Sequence, residues 1–114
     1  MVSITLHTDS AVLFTYIGER EYSKVVMADL TGLGRDEAEI VLLTAALERF
    51  NKPSEITIYS GPYIFGVLKN RWIERWAESG WVNSKGKPVR YKECWQQTYE
   101  YLKMHNYTAE LKGR

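Results

Sequence analysis

Trp72-Ile-Glu-Arg-Trp-Ala-Glu-Ser-Gly-Trp-Val-Asn-Ser-Lys-Gly-Lys-Pro-Val-Arg-Tyr-Lys-Glu-Cys-Trp95 holds all four tryptophans of the chain. Trp72 and Trp76 are four apart and share a helix face, and Gly80-Trp81 interrupts that helical run. Ser84 to Pro88 is a loop by composition, and Pro88 biases Lys87 away from helical geometry. Lys85, Lys87, Arg90 and Lys92 place four positive charges within eight residues. Two readings follow. One is a tryptophan-rich core edge carrying a solvated basic loop. The other is a basic, aromatic-backed protrusion that tracks a phosphate backbone.

The rest of the chain frames that choice. At 114 residues it can bury one core but hardly two, which predicts a single domain over 1–114. Its hydrophobic fraction of 45% and charged fraction of 25% are ordinary globular values, so disorder is not expected. A net charge of +1 supplies no global pull toward nucleic acid or membrane, and a nucleic-acid function must rest on local patches. The lone cysteine, Cys94, excludes an intrachain disulfide and fits a reducing compartment. With no histidine near it in sequence, it reads as an inert buried thiol rather than a nucleophile. No apolar run approaches the ~20 residues of a membrane span, and no signal peptide is evident. The expectation is a soluble, cytoplasmic protein.

Val2 to Asp9 alternates apolar and polar residues, the period of a half-buried strand. Val12 to Ile17 and Tyr22 to Leu30 are two further β-rich runs, joined at Gly18-Glu19-Arg20 by a connection too short for a parallel crossover. An antiparallel meander follows from that. Arg35 to Phe50 is a helix, with Asp36, Glu37 and Glu39 at its positive end and Ala38, Val41, Leu42 and Ala45 as an apolar stripe. Asn51-Lys-Pro-Ser54 terminates it. Glu55 to Ser60 is a fourth strand, expected parallel to the first because a helix leads to it. A helix over 63–78, the basic loop, a helix over 91–104 with Trp95, Thr98 or Tyr99 and Leu102 on one face, and a short strand over 106–111 complete the order βββαβααβ. That order predicts an α/β domain with a mixed five-stranded sheet and flanking helices.

This order and the Trp72 to Trp95 stretch together resemble the type I ribonuclease H family. The most specific match is W-x-x-x-W-x-x-x-G-W, then K-P-V, then Trp: Trp72, Trp76, Gly80-Trp81, Lys87-Pro88-Val89 and Trp95. In that family the stretch forms a helix and a basic handle that grips the DNA strand of an RNA–DNA hybrid. Ile4-Thr-Leu-His-Thr-Asp9 looks like the first strand with its catalytic aspartate, and Glu39 to Glu48 looks like the first helix with its catalytic glutamate. Leu111-Lys-Gly-Arg114 looks like the strand end before the family's last loop.

The resemblance implies two-metal hydrolysis, with paired Mg²⁺ ions ~4 Å apart activating a water and stabilising the leaving oxygen. Such hard cations need several converging carboxylates. Asp9 and Glu39 match two of the family's four. Ser60-Gly61-Pro62 stands where the family has Thr-Asp-Ser, and the fourth acid lies in a helix beyond Lys112-Gly113-Arg114, where Arg replaces the family's His. Mg²⁺ binding is therefore expected to be weak or absent, with Asp9 and Glu39 as remnants. Asp36, three residues before Glu39, shares its helix face and offers a weak third metal ligand; complementing the helix dipole is its simpler role. Asp36 and Tyr91 occupy positions where the family carries substrate-contacting Asn. His7 alternates in phase with Asp9, whereas His105, just past a helix, is explained by a dipole contact.

Three functions follow from the resemblance. The first is a degenerate ribonuclease H domain that binds a hybrid or other duplex through Trp72, Arg75, Trp81, Lys85, Lys87, Arg90 and Lys92, with Lys69 and Arg71 nearby. The second is a protein-interaction module or inhibitor on the same fold, its aromatic residues forming the contact surface. The third is an active Mg²⁺-dependent enzyme whose missing acids come from elsewhere.

Overall fold

A computed structural model describes residues 2–7, 9–17, 20–50 and 52–112, with Tyr16 and Ile17 described in backbone only. The expected turn at Gly18-Glu19, the start of the Asn51 terminator and the Gly113-Arg114 end lie outside the described residues. Strands β1 (Val2–Leu6), β2 (Ala11–Ile17), β3 (Arg20–Val26), β4 (Glu55–Ser60) and β5 (Asn106–Leu111) form one mixed sheet in the order β3-β2-β1-β4-β5. The β1-β2-β3 meander is antiparallel, while β1, β4 and β5 run parallel.

Alternation decides which face is buried. Leu13, Ile4, Ile58 and Ala109 are in register across four strands, and Ile56 and Tyr107 form part of the next row. All are buried, whereas Ser3, Thr5, Thr57 and Tyr59 point the other way and are half-buried. Helix α1 (Arg35–Leu47) lies between this core and helix α4 (Lys92–Leu102). Being covered on two sides, α1 buries Ile40, Leu42, Leu43, Ala46 and Leu47. The stripe expected from sequence is thus displaced: Ala38 and Leu42 are buried, but Val41 and Ala45 are half-buried and border a groove against Cys94 of α4. On α4 the buried face is Trp95, Thr98 and Leu102, with Thr98 taking the place that Tyr99 might have filled. The Thr44 and Thr98 hydroxyls meet at 2.7 Å across the α1–α4 contact.

The single helix expected over 63–78 is two helices, α2 (Pro62–Lys69) and α3 (Trp72–Ser79). Asn70 caps the first, its side-chain amide donating to the Gly66 carbonyl at 2.9 Å, and Arg71 takes a left-handed conformation at φ 59°. Such a backbone is unfavourable for arginine, and β5 holds it there. The Arg71 guanidinium lies 4.2 Å over the Tyr107 ring, donates to the Tyr107 carbonyl at 3.3 Å and pairs with Glu74 at 3.2 Å. The helix is broken by a tertiary contact that no local pattern encodes.

Candidate functional site

The parallel strands β1, β4 and β5 end together at Leu6, Ser60 and Leu111, and ligands of open α/β sheets bind outside such carboxyl ends. A cleft of about 670 Å³ opens there. Asp9, in the β1–β2 connection closed by His7 N–H donating to the Ser10 carbonyl at 2.8 Å, stands on one side of it. Glu39, from the second turn of α1, stands on another, with Arg35, His7 and Lys112 completing the polar lining. Leu30, Leu33 and Ala38 form the apolar wall. Asp9 and Glu39, far apart in sequence, therefore share one cleft. A second cleft, of about 610 Å³, lies at the opposite end of the parallel strands beside Arg49, Phe50 and Lys52, away from the carboxyl ends where chemistry is placed.

Glu39 is 4% exposed, and its carboxylate accepts the Gly61 N–H at 3.2 Å. Gly61 precedes the first residue of α2, so the carboxylate sits at the positive end of that helix. Burial pushes the Glu39 carboxyl above its ordinary range, against the Gly61 hydrogen bond and the charges of Lys112 and Arg35. Lys112 was not singled out by sequence. Its backbone N–H donates to the Ser60 carbonyl at 2.8 Å, and its ammonium reaches across the end of β4 to donate to the Leu6 carbonyl at 2.8 Å. The available signal was positional: one residue past a strand parallel to β1 and β4, it must emerge at the same end as Asp9.

Asp36 does not line this cleft; its carboxylate faces Arg90 at 3.8 Å. Among the described residues, no three or more His, Cys, Asp or Glu side chains are gathered where they could hold a metal ion. For His105, just past α4, a helix-dipole contact was the expected explanation, and the structure adds a tertiary partner. It is buried, its Nδ1 accepts the Ser54 N–H at 3.0 Å, and burial lowers its pKa. Burial, then Glu37 and Glu93, raises the Cys94 thiol, in keeping with an unreactive cysteine.

The basic loop is a tight hairpin. Val82 bridges Pro88, Asn83 N–H donates to the Lys87 carbonyl at 2.7 Å, and Gly86 supplies a φ of 78°. Asn83 also organises the tip, its Oδ1 accepting the backbone N–H groups of Lys85 and Lys87 at 2.9 and 3.1 Å. Both lysine side chains are exposed. Trp72 is 42% exposed and joins Arg75, Trp76, Val82 and Ser84 around a groove beside the hairpin. Trp81 instead packs edge-on to Tyr99, with ring centroids 5.9 Å apart. Trp95 is fully buried and donates its indole N–H to Tyr63 Oη at 3.0 Å. Arg90 turns toward α1 and covers the Tyr91 ring at 4.6 Å, while Lys92 is exposed at the start of α4. Arg71 is engaged by Tyr107 and Glu74, and Lys69 is exposed.

The ribonuclease H family model matches residues 3–111, and the chain belongs to the ribonuclease H family. It is 30% identical to the ribonuclease H of Caldicellulosiruptor saccharolyticus over 77 residues, which is 66% of this chain and 53% of that protein. Over 71 residues it is 34% identical to the ribonuclease H of Hyphomonas neptunium, covering 61% and 47% of the two chains. The chain thus spans about half the length of the curated relatives it matches. Among solved structures, LC9-RNase H1, a type 1 ribonuclease H with the type 2 active-site motif, superposes with a TM-score of 0.77 at 12% identity, covering all of this chain and 64% of that one. The foamy viral protease–reverse transcriptase, solved with an RNA/DNA hybrid, gives a TM-score of 0.58 at 14% identity over 96% of this chain and 17% of that one. These structural likenesses establish the fold.

Proposed function

We propose that the chain is a single ribonuclease H-like domain that binds an RNA–DNA hybrid, or another nucleic-acid duplex, and cleaves it poorly or not at all. The observation that carries this reading is the hairpin at Asn83 to Lys87, which holds the Lys85 and Lys87 side chains out to solvent on a backbone fixed by Asn83. Trp72 and Arg75 in the adjoining groove extend that surface, and Lys92 is exposed at the start of α4, while Trp81 packs on Tyr99 and Arg90 faces Asp36. Exposed cations presented on an ordered backbone meet phosphates without regard to sequence. Family membership, together with a fold relative solved on an RNA/DNA hybrid, supports the choice of ligand.

Impaired cleavage rests on the cleft. Hard divalent ions require several converging oxygen ligands in near-octahedral geometry, and the residues present do not fit a pair of them. Asp9 and Glu39 are the two remnant acids, Glu39 is committed to the Gly61 N–H, and Asp36 faces Arg90. Gly61 carries no carboxylate where the family has one.

Fluorescence anisotropy with a labelled hybrid at low salt tests binding. Lys85→Ala with Lys87→Ala should weaken it and reduce the slope of log K against log salt by about 1–2; undetectable binding, or an unchanged slope, sinks the proposal. Incubating the same hybrid with Mg²⁺ or Mn²⁺ tests cleavage. Cleavage that disappears in Asp9→Asn would replace this reading with that of a working ribonuclease H. A second reading, a protein-interaction module, draws on Tyr22, Val25 and Met27, which are 48%, 59% and 70% exposed along and just beyond the edge strand β3. Sedimentation showing a dimer, with no hybrid binding, would favour it.

A further inference from the structure

We infer that Arg71 is a positioning residue: clamped between Tyr107 of β5 and Glu74, it sets the direction of α3 and so aims Trp72 and Arg75 at nucleic acid without itself contacting a phosphate. The inference deepens the reading of a duplex-binding domain and rests on it. Three observations carry it.

The first is where the backbone is strained. Among the described residues, Arg71, Trp81 and Tyr91 are the non-glycine residues with left-handed backbone, at φ 59°, 66° and 57°. They stand at the start of α3, between α3 and the hairpin, and at the start of α4. Each joint of the tryptophan-rich segment is thus held in a conformation that persists only where surrounding contacts impose it.

The second is what imposes it at Arg71. The guanidinium lies 4.2 Å over the Tyr107 ring and donates both to the Tyr107 carbonyl at 3.3 Å and to Glu74 Oε1 at 3.2 Å. Tyr107 Oη donates to that same Glu74 oxygen. Tyr107 is buried and paired in the sheet, so the clamp is built on a fixed base. Glu74 Oε2 is buried and accepts no hydrogen bond among the described residues. A carboxylate served at one oxygen alone is placed by its neighbours rather than by its own best solvation. Only a planar fork reaches the carbonyl, the carboxylate and the ring face together.

The third is how little else holds α3. The helix has eight residues, too few to be stable alone, and Ile73 is its buried residue. Trp76 adds a tilted contact with Trp95, ring centroids 6.1 Å apart, and Trp72 leans on Trp76 at 6.4 Å. Trp72 and Arg75 lie in the turn that Arg71 opens, and both line the groove beside the hairpin. A change in the Arg71 backbone therefore swings both of them. Arg71 is paired with Glu74, whereas Lys85 and Lys87 form no ion pair among the described residues. Its charge is compensated within the protein, and its contribution to binding is the orientation it fixes beforehand.

The test measures hybrid binding by the full chain over a range of salt and follows the tryptophan indole N–H signals by NMR, with Trp81, packed on Tyr99, as internal reference. Arg71→Gly suits the positive φ and removes the clamp. It should weaken binding about tenfold at every salt concentration, as the competent orientation falls to about a tenth of the population, and leave the salt slope unchanged. Its Trp72 and Trp76 signals should shift or broaden while that of Trp81 stays. Arg71→Lys keeps the charge without the fork and should weaken binding as well. A slope reduced by about 1 in Arg71→Gly, with full affinity in Arg71→Lys, makes Arg71 a phosphate contact and overturns the inference. So does a folded Arg71→Gly variant with wild-type affinity, or with unmoved Trp72 and Trp76 signals. If Arg71→Gly does not fold, Arg71→Asn, which also tolerates this backbone, is subject to the same outcomes. A wild type that binds no hybrid defeats the proposed function, and the indole signals still decide whether Arg71 sets the direction of α3.

Discussion

The Glu39 carboxylate accepts a hydrogen bond from the Gly61 N–H, and Gly61 lacks the side-chain atom that would crowd both carboxylate oxygens at 3.1 Å. A buried acid and a glycine from separate elements thus define one another's geometry.

This relationship sets the effect of neutralising Glu39. Its folded pKa is raised, chiefly by burial, above the ordinary value of 4.5. Between those two values the folded state binds more protons than the unfolded one, so stability falls as pH rises through that window and stays lower above it. Glu39→Gln should therefore raise Tm at pH 7 by a few degrees, an advantage that shrinks below pH 4.5. Thermal melts across pH would reveal it; a lower Tm at pH 7 would mean that the Gly61 hydrogen bond outweighs burial.

Gly61→Ala probes the same contact from the other side. The backbone at Gly61 has φ −72°, acceptable to any residue, so the effect comes from crowding alone. A loss of about 1 kcal/mol is expected, most of it absent in a Glu39→Ala background. Urea unfolding of the four variants gives the coupling directly, and additive losses would disconnect the two residues.

Thr44 and Thr98 make a second test. Their hydroxyls meet at 2.7 Å in the α1–α4 contact, and each lies within hydrogen-bond reach of a carbonyl of its own helix, Ile40 at 3.0 Å and Cys94 at 2.8 Å, so one hydroxyl donates to the other, which donates to its own carbonyl. Thr44→Val alone should cost about 1–2 kcal/mol by leaving a buried hydroxyl with fewer partners. The double valine variant should be less destabilised than the sum of the two single variants. Equal sums in chemical denaturation would remove the pair from the list of specific contacts holding α4.

His105 links stability to pH. Its Nδ1 accepts the Ser54 N–H, and burial lowers its folded pKa below the ordinary 6.5. Below pH 6.5 the unfolded chain binds the proton first, so stability present above that pH declines as acidity increases. Replacing His105 with Asn should flatten Tm between pH 7.5 and pH 5.5, a range set by the ordinary imidazole pKa. An unchanged slope would assign the acid sensitivity to other groups.

Much of the fold was legible because it follows alternation and short connections. The span of β4 and β5, the antiparallel meander and the parallel β1–β4 pair all agree with the sequence pattern. What escaped was set by distant contacts. The Asn70-Arg71 break depends on Tyr107, a β5 residue, and the buried face of α1 is wider than one stripe because α4 covers it as well. In the cleft, Asp9 and Glu39 could be named from the family pattern, whereas Lys112 was quoted only as part of the strand end before the family's last loop. Its importance comes from parallel register, which places a residue after β5 beside the ends of β1 and β4. The tertiary partner of His105 escaped because proximity to a helix end says nothing of the Ser54 N–H that it meets.

The sheet order also has a consequence for how the chain is made. Strand β1 is central, yet only its β2 side can be satisfied early, because the register partner of Val2 on the other side is Ile56. While the ribosome is still adding α1, a three-stranded meander presents the unpaired edge of β1 to the surrounding solution. Unpaired edges of that kind are templates for association with other chains. Until β4 is made and pairs with it, β1 is an open edge, an exposure that the completed sheet removes.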